Sequence, residues 1–66
     1  MIYGFRYSAI YINVKADESL TYIFTIMGET PEECDKTARE YAMWILEELP
    51  QSGFVLEDVR RVYKND

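Results

Sequence analysis

The stretch GETPEECDK, residues 28–36, decides how this chain folds. Gly28 and Glu29 make a turn. Thr30 offers its hydroxyl to the first free amides of a helix. Pro31 fits the first helical position, where its missing N–H would have no partner anyway, and Glu33 stands at the spacing of a capping box. Before this stretch the apolar residues recur at every second position; after it they recur at helical spacing. A helix is therefore predicted from Pro31 to about Leu49, because Pro50 cannot continue it.

Working back from the turn, residues 20–27 read as a strand. Leu20, Tyr22, Phe24 and Ile26 point one way, and Thr21, Ile23, Thr25 and Met27 the other. Residues 2–14 read as an earlier strand, rich in Tyr, Phe and Ile with period two. The polar residues 15–19 form the hairpin loop. Closing that loop symmetrically about Asp17 and Glu18 pairs Tyr11 with Phe24 and Ile12 with Ile23. One face of the hairpin then carries the aromatic residues. The other carries Ile10, Ile12, Ile23 and Met27 with Arg6, Ser8, Thr21 and Thr25. A slip of one residue would scramble both faces, so the pattern specifies which face is buried.

Working forward, steps of about 100° per residue place Cys34, Ala38, Tyr41, Ala42, Ile45 and Leu49 in one arc of the helix. Ala38 and Ala42 leave room for large rings, so this arc should cover the aromatic face. Glu32–Lys36 and Asp35–Arg39 stand at i,i+4 in the favourable order, each pair stabilising by about 0.3 kcal/mol. Residues 54–64 form a third strand, with a bulge expected near Glu57 and Asp58, where alternation breaks. The expected architecture is α+β: a two-layer β-β-α-β single domain, residues 1–66. Its three-stranded antiparallel sheet has the order 2-1-3, and one helix is packed on one face.

The chain has 66 residues, one cysteine and no histidine. A domain this small buries only about 60% of its unfolded surface, so it relies on good packing or self-association. Cys34 has no partner for a disulfide, and no set of N or S ligands for zinc exists. Without histidine there is no Ser-His or Cys-His pair, and the three glycines are too far apart for a phosphate loop. Cys34 reads as a buried thiol, although it stands in the helix's first turn. No enzyme activity, cofactor or metal is expected. No segment approaches the ~20 apolar residues of a membrane span. The N-terminus lacks the layout of a signal peptide, and a lone thiol fits a reducing compartment, so a cytoplasmic location is expected.

The net charge of −5 is localised. Between Glu29 and Glu48 stand seven acids (Glu29, Glu32, Glu33, Asp35, Glu40, Glu47, Glu48) and two bases (Lys36, Arg39), a net of −5; elsewhere five acids balance five bases. That placement reads either as a solvated helix face or as an acidic surface that meets a basic partner. The same acidity argues against nucleic acid, for which the cluster Arg60, Arg61 and Lys64 is the sole support.

The run Gly28-Glu29-Thr30-Pro31-Glu32-Glu33-Cys34, with Ala38-Arg39-Glu40-Tyr41-Ala42 and Leu46-Glu47-Glu48-Leu49, resembles the turn-and-helix segment of HicB-type antitoxins. The resemblance covers about a third of the chain. It implies a hairpin followed by a packed helix, in a small domain that binds and blocks a cognate toxin ribonuclease. The Pro-Asp-x-Pro-Gly run of that family is absent here; Tyr22-Ile23-Phe24-Thr25-Ile26 stands in its place.

The stretch AMWILEELP, residues 42–50, supplies the candidate binding site. Met43 lies nearly opposite the buried arc and should be exposed. Trp44 lies on a flank, where its ring could fold onto the sheet edge. Ringed by Glu40 and Glu47, with Lys36 one to two turns back, these residues would form a protein-binding anchor. The expected function is that of a small acidic inhibitor, antitoxin-like or anti-CRISPR-like, from a phage or plasmid. It would bind a protein partner with a basic surface. The alternatives are a structural or regulatory homodimer joined through the exposed sheet face or a sheet edge, and a nucleic-acid-binding sheet.

Overall fold

The computed structural model describes residues 1–62. Two long strands, β1 (Tyr3–Asn13) and β2 (Glu18–Gly28), are followed by helix α1 (Pro31–Glu48) and strand β3 (Val55–Arg61). The sheet order is β2-β1-β3, and both pairings are antiparallel, as the sequence predicts. The last part of the predicted third strand, Tyr63 and Lys64, lies outside the described residues.

The helix begins where the capping residues place it. Thr30 is extended, and its Oγ1 accepts the Glu33 amide at 3.1 Å. At the other end Leu49 takes φ −65° and ψ 134°, the extended backbone that a following proline imposes. Gly28 suits the close approach just before the helix. A Cβ there would stand 3.0 Å from Cys34 Sγ and 3.5 Å from the Cys34 backbone nitrogen.

The hairpin register differs from the expected one. Tyr11 pairs with Leu20, and Phe24 pairs with Tyr7. The loop is shorter than residues 15–19, because Asn13 organises a turn over residues 14–17. Its Oδ1 accepts the Ala16 amide at 3.2 Å, the Asp17 amide donates to the Val14 carbonyl at 3.3 Å, and Asp17 takes φ 54°. Asn and Asp tolerate such local geometry better than other residues. Relative to the expected pairing every partner moves by four residues along β2. An even shift leaves each side chain on its predicted face, so the buried face is unchanged.

Tyr7, Ala9 and Tyr11 of the central strand lie buried beneath Cys34, Ala38, Ala42 and Ile45 of α1, with Ile26, Phe54 and Val59 completing the core. The small helix residues do make room for rings. The Tyr11 hydroxyl reaches the backbone of α1 and donates to the Ala42 carbonyl at 2.7 Å. Tyr41 departs from the predicted core arc and is 40% exposed. It stands at the rim of that arc, where Tyr7 and Tyr11 already fill the space below, and its ring lies over β2 against Phe24 instead.

The predicted bulge is present. Ile10 pairs with Asp58 but Tyr11 with Leu56, which leaves Glu57 as the extra residue. Its effect is to change parity. Leu56 lies on the buried face before it, and Val59 and Arg61 lie on that face after it.

Candidate protein-binding surface

The two flanks of α1 are built from different chemistry. On the β3 side Asp35 is gripped by three donors. The Tyr7 hydroxyl donates to Oδ1 at 2.6 Å, and Arg61 donates from Nε to Oδ1 and from Nη2 to Oδ2, both at 2.9 Å. The Arg61 guanidinium also lies 4.3 Å from the centre of the Phe5 ring. The hydrogen bonds from Tyr7 and then Arg61 hold the Asp35 carboxyl below its ordinary pKa. Burial, reinforced by the Asp35 carboxylate, pushes the Tyr7 hydroxyl up. With both oxygens occupied, Asp35 ties the first turns of α1 to β1 and β3.

The predicted partner of Asp35 was Arg39. Among the described residues neither i,i+4 pair forms: Asp35 turns towards β3, and Glu32 and Lys36 make no ion pair. The bidentate, ring-stacked Arg61 is the better partner, because it is fixed on a strand and partly shielded from water. Arg60 pairs with Asp58 on the opposite sheet face at 2.8 Å, which holds the Asp58 carboxyl below its ordinary pKa. Arg60 and Arg61 are thus both engaged in ion pairs. Lys64, the third member of the predicted basic cluster, lies outside the described residues.

On the β2 side α1 is met by rings rather than ions. Tyr7 stacks on Phe24 at 6.1 Å, Phe24 meets Tyr41 edge-on at 4.8 Å, and Tyr41 stacks on Trp44 at 5.8 Å. Trp44 does not fold onto the sheet edge itself. It rests on Tyr41, which occupies that place, and stays 53% exposed. Tyr22, 39% exposed, meets Tyr11 edge-on at 5.8 Å on the same side.

The outer face of α1 carries the remaining candidate residues. Met43 is 47% exposed, and Lys36, Glu40 and Glu47 are exposed around it. Met43 and Trp44 do not form one compact knob. Consecutive helix residues diverge by about 100°, so Met43 points outward while Trp44 leans towards β2. Cys34 is fully buried, with Sγ near the Tyr3 carbonyl at 3.9 Å. No group of three or more acids and thiols able to hold a metal occurs among the described residues. None of their helices is long and apolar enough to cross a membrane. The open sheet face exposes Ile23 and Met27 with Thr21, Thr25 and Arg6, as predicted, and Ile10 and Ile12 are half-buried there.

No family model matches the chain, and neither a curated protein nor a solved structure is significantly similar to it.

Proposed function

We propose that this protein works by binding another protein through the outer face of α1, without chemistry of its own. One observation carries the reading. Glu32, Glu33, Glu40, Glu47 and Glu48 are all exposed, and among the described residues none of them takes part in an ion pair. The two ion pairs among the described residues use Asp35 and Asp58. The acidic field of the helix, offset only by Lys36 and Arg39, therefore points into solvent. Such a field speeds encounter with a positively charged partner and fixes its orientation. Met43, in the midst of these carboxylates, supplies an unbranched side chain that adapts to a partner's contour. A groove that otherwise holds nucleic acid has the matching charge. This suits a small inhibitor, antitoxin-like or anti-CRISPR-like, by analogy of size, charge and shape.

The test is a pull-down from the source cell with immobilised protein and with the double reversal Glu40→Lys/Glu47→Lys. The expected catch is a protein with a basic groove, released as salt rises and missed by the reversal. The reversal itself should fold normally. A partner held equally by both proteins, or held through high salt, would remove the outer face of α1 as the working surface.

A further inference from the structure

The two edges of the sheet are finished differently. β3, at one edge, is short, carries Glu57, Asp58, Arg60 and Arg61 among its seven residues, and is bulged at Glu57. Those are the usual devices that prevent a strand edge from pairing with another chain. β2, at the other edge, has none of them beyond Glu18 at its first position. Residues 19–28 contain no charge and no proline, and no bulge interrupts the pairing of β2 with β1. Among the described residues, no strand pairs with the outer side of the β2 backbone.

We infer that β2 pairs antiparallel with β2 of a second copy, giving a continuous six-stranded sheet with both helices on one side. This goes beyond partner binding through the outer face of α1 and does not depend on it. The strand sequence fits the symmetry. An antiparallel pair about a two-fold axis sets residues of the same face opposite one another when the axis passes through a residue. The register that uses the whole of β2 is centred on Ile23. It sets Tyr22 against Phe24, Thr21 against Thr25, Leu20 against Ile26 and Glu18 against Gly28. No like charges meet, and an aromatic pair and a Thr–Thr pair each occur twice.

The helix layer fits as well. With strands about 4.8 Å apart and each helix lying over its own β1, the helix axes stand about 14 Å apart, where close helix packing needs 8–10 Å. Only large side chains on the facing flanks fill such a gap. Tyr41, against Phe24, and Trp44, stacked on Tyr41, are on those flanks, and half of the Trp44 surface still awaits cover. The strand edge is roughly 33 Å long, and two layers about 10 Å thick give about 660 Å² per copy, or ~1,300 Å² in all. That lies within the range of stable specific interfaces.

The test uses the intact chain. Sedimentation equilibrium should give twice the 7.8 kDa chain mass. Trp44 is the single tryptophan, so its emission reports the interface without any variant. Dilution through the dissociation range should shift the emission to the red. Each copy carries −5, so salt should tighten the dimer, opposite to its effect on a basic partner. Thr21→Lys/Thr25→Lys sets lysine against lysine at both symmetric positions, on exposed sites outside the core, and should weaken dimerisation at least tenfold with an unchanged circular dichroism spectrum. A chain of monomer mass at all concentrations overturns the inference. So does a dimer whose Trp44 emission ignores dilution, which is the signature of pairing through the opposite sheet face. A dimer unaffected by the lysine pair also overturns it. If the lysine variant fails to fold, the mass, the emission shift and its salt dependence in the unaltered chain decide alone.

Discussion

The β3 flank of α1 and the β2 flank rest on the same central strand but close the core in opposite ways. Towards β3 the helix is fastened by a directional cluster, Asp35 with Tyr7 and Arg61, and the strand beyond it is short, bulged and charged. Towards β2 it is fastened by ring and aliphatic contacts, and the strand beyond is long and uncharged from Ser19 to Gly28. Polar clamps are directional: three donors take three of the roughly four acceptor sites of the Asp35 carboxylate, which leaves little to recruit another molecule. A graded stack of rings does not saturate. Its last member, Trp44, keeps a face that a further ring or aliphatic group can cover. The difference indicates which side of a very small domain is complete and which side has contacts still to make.

Tyr7 belongs to both flanks, stacking on Phe24 and donating to Asp35, so it gives the largest expected effect. Tyr7→Ala should cost about 3–5 kcal/mol, as other buried aromatic truncations do. That approaches the whole stability of a domain this size, and cooperative urea unfolding should be largely lost. Tyr7→Phe separates the flanks, since it keeps the ring and removes the hydrogen bond. It should cost about 0.5–1.5 kcal/mol. If Tyr7→Phe were as damaging as Tyr7→Ala, the hydroxyl would dominate, and ring packing would not be what secures the β2 side.

The next prediction concerns the start of the helix, on the clamped side. Thr30→Ala removes the acceptor for the Glu33 amide and should cost about 1 kcal/mol, lowering the melting temperature by roughly 4–8 °C. An unchanged melting curve would mean that the Asp35 cluster holds the first turn without the cap.

The flanks should also separate by pH. Asp35 has a lowered pKa in the folded state, so its contribution is complete above the ordinary value of 3.8 and is lost as pH falls through the lowered one. Tyr7 and Tyr11 have raised pKa values, with burial the main cause. Their contribution is complete below the ordinary value of 10.0 and is lost as pH rises beyond it through the raised ones. Denaturation followed against pH should show both limbs. Asp35→Asn should flatten the acid limb, and Tyr11→Phe the alkaline one. An acid limb unmoved by Asp35→Asn would break the assignment of that limb to the β3 flank.

Much of the fold is legible in the sequence, but little of this contrast. The helix start, the sheet order and the buried face follow from Thr30-Pro31, from period-two alternation and from the small residues Ala38 and Ala42, all of which are local signals. The hairpin register was missed, because it hangs on how Asn13 and Asp17 close the turn. A four-residue shift leaves the hydrophobic pattern untouched, so the pattern could not reveal it. The Asp35 cluster was missed for another reason. Arg61 reaches the buried face only because one extra residue at Glu57 changes the parity of β3. The broken alternation of residues 54–63 hinted at that bulge, but which side chains it redirects depends on its position to the residue. The helical wheel places Tyr41 in the core because it records direction and not ring size. The exposure of the candidate residues is legible in part. Met43, Glu40, Glu47 and Lys36 are exposed together, while Trp44 belongs to the aromatic flank.

The smallest expected effects on the fold are on that exposed surface, and they test whether the division between the flanks is real. Trp44 contacts the domain chiefly through Tyr41, and Met43 points away from the core. Met43→Ala should leave stability within about 0.5 kcal/mol, as a surface change does. Trp44→Ala should cost somewhat more, through the lost stacking on Tyr41, worth roughly 0.5–1.5 kcal/mol beyond area burial. Their effects on association should differ in kind. Met43→Ala should weaken capture of a basic partner and leave the mass of the protein in solution unaltered, because Met43 lies on the outer face. Trp44→Ala should lower the mass at a given concentration, because Trp44 lies beside the open edge of β2. Urea unfolding and sedimentation on the same two variants read both quantities. If Met43→Ala instead destabilised the fold by about 2 kcal/mol or more, as truncation of a buried methionine does, the outer face of α1 would be part of the core, and the contrast between a closed side and an open side would have to be redrawn.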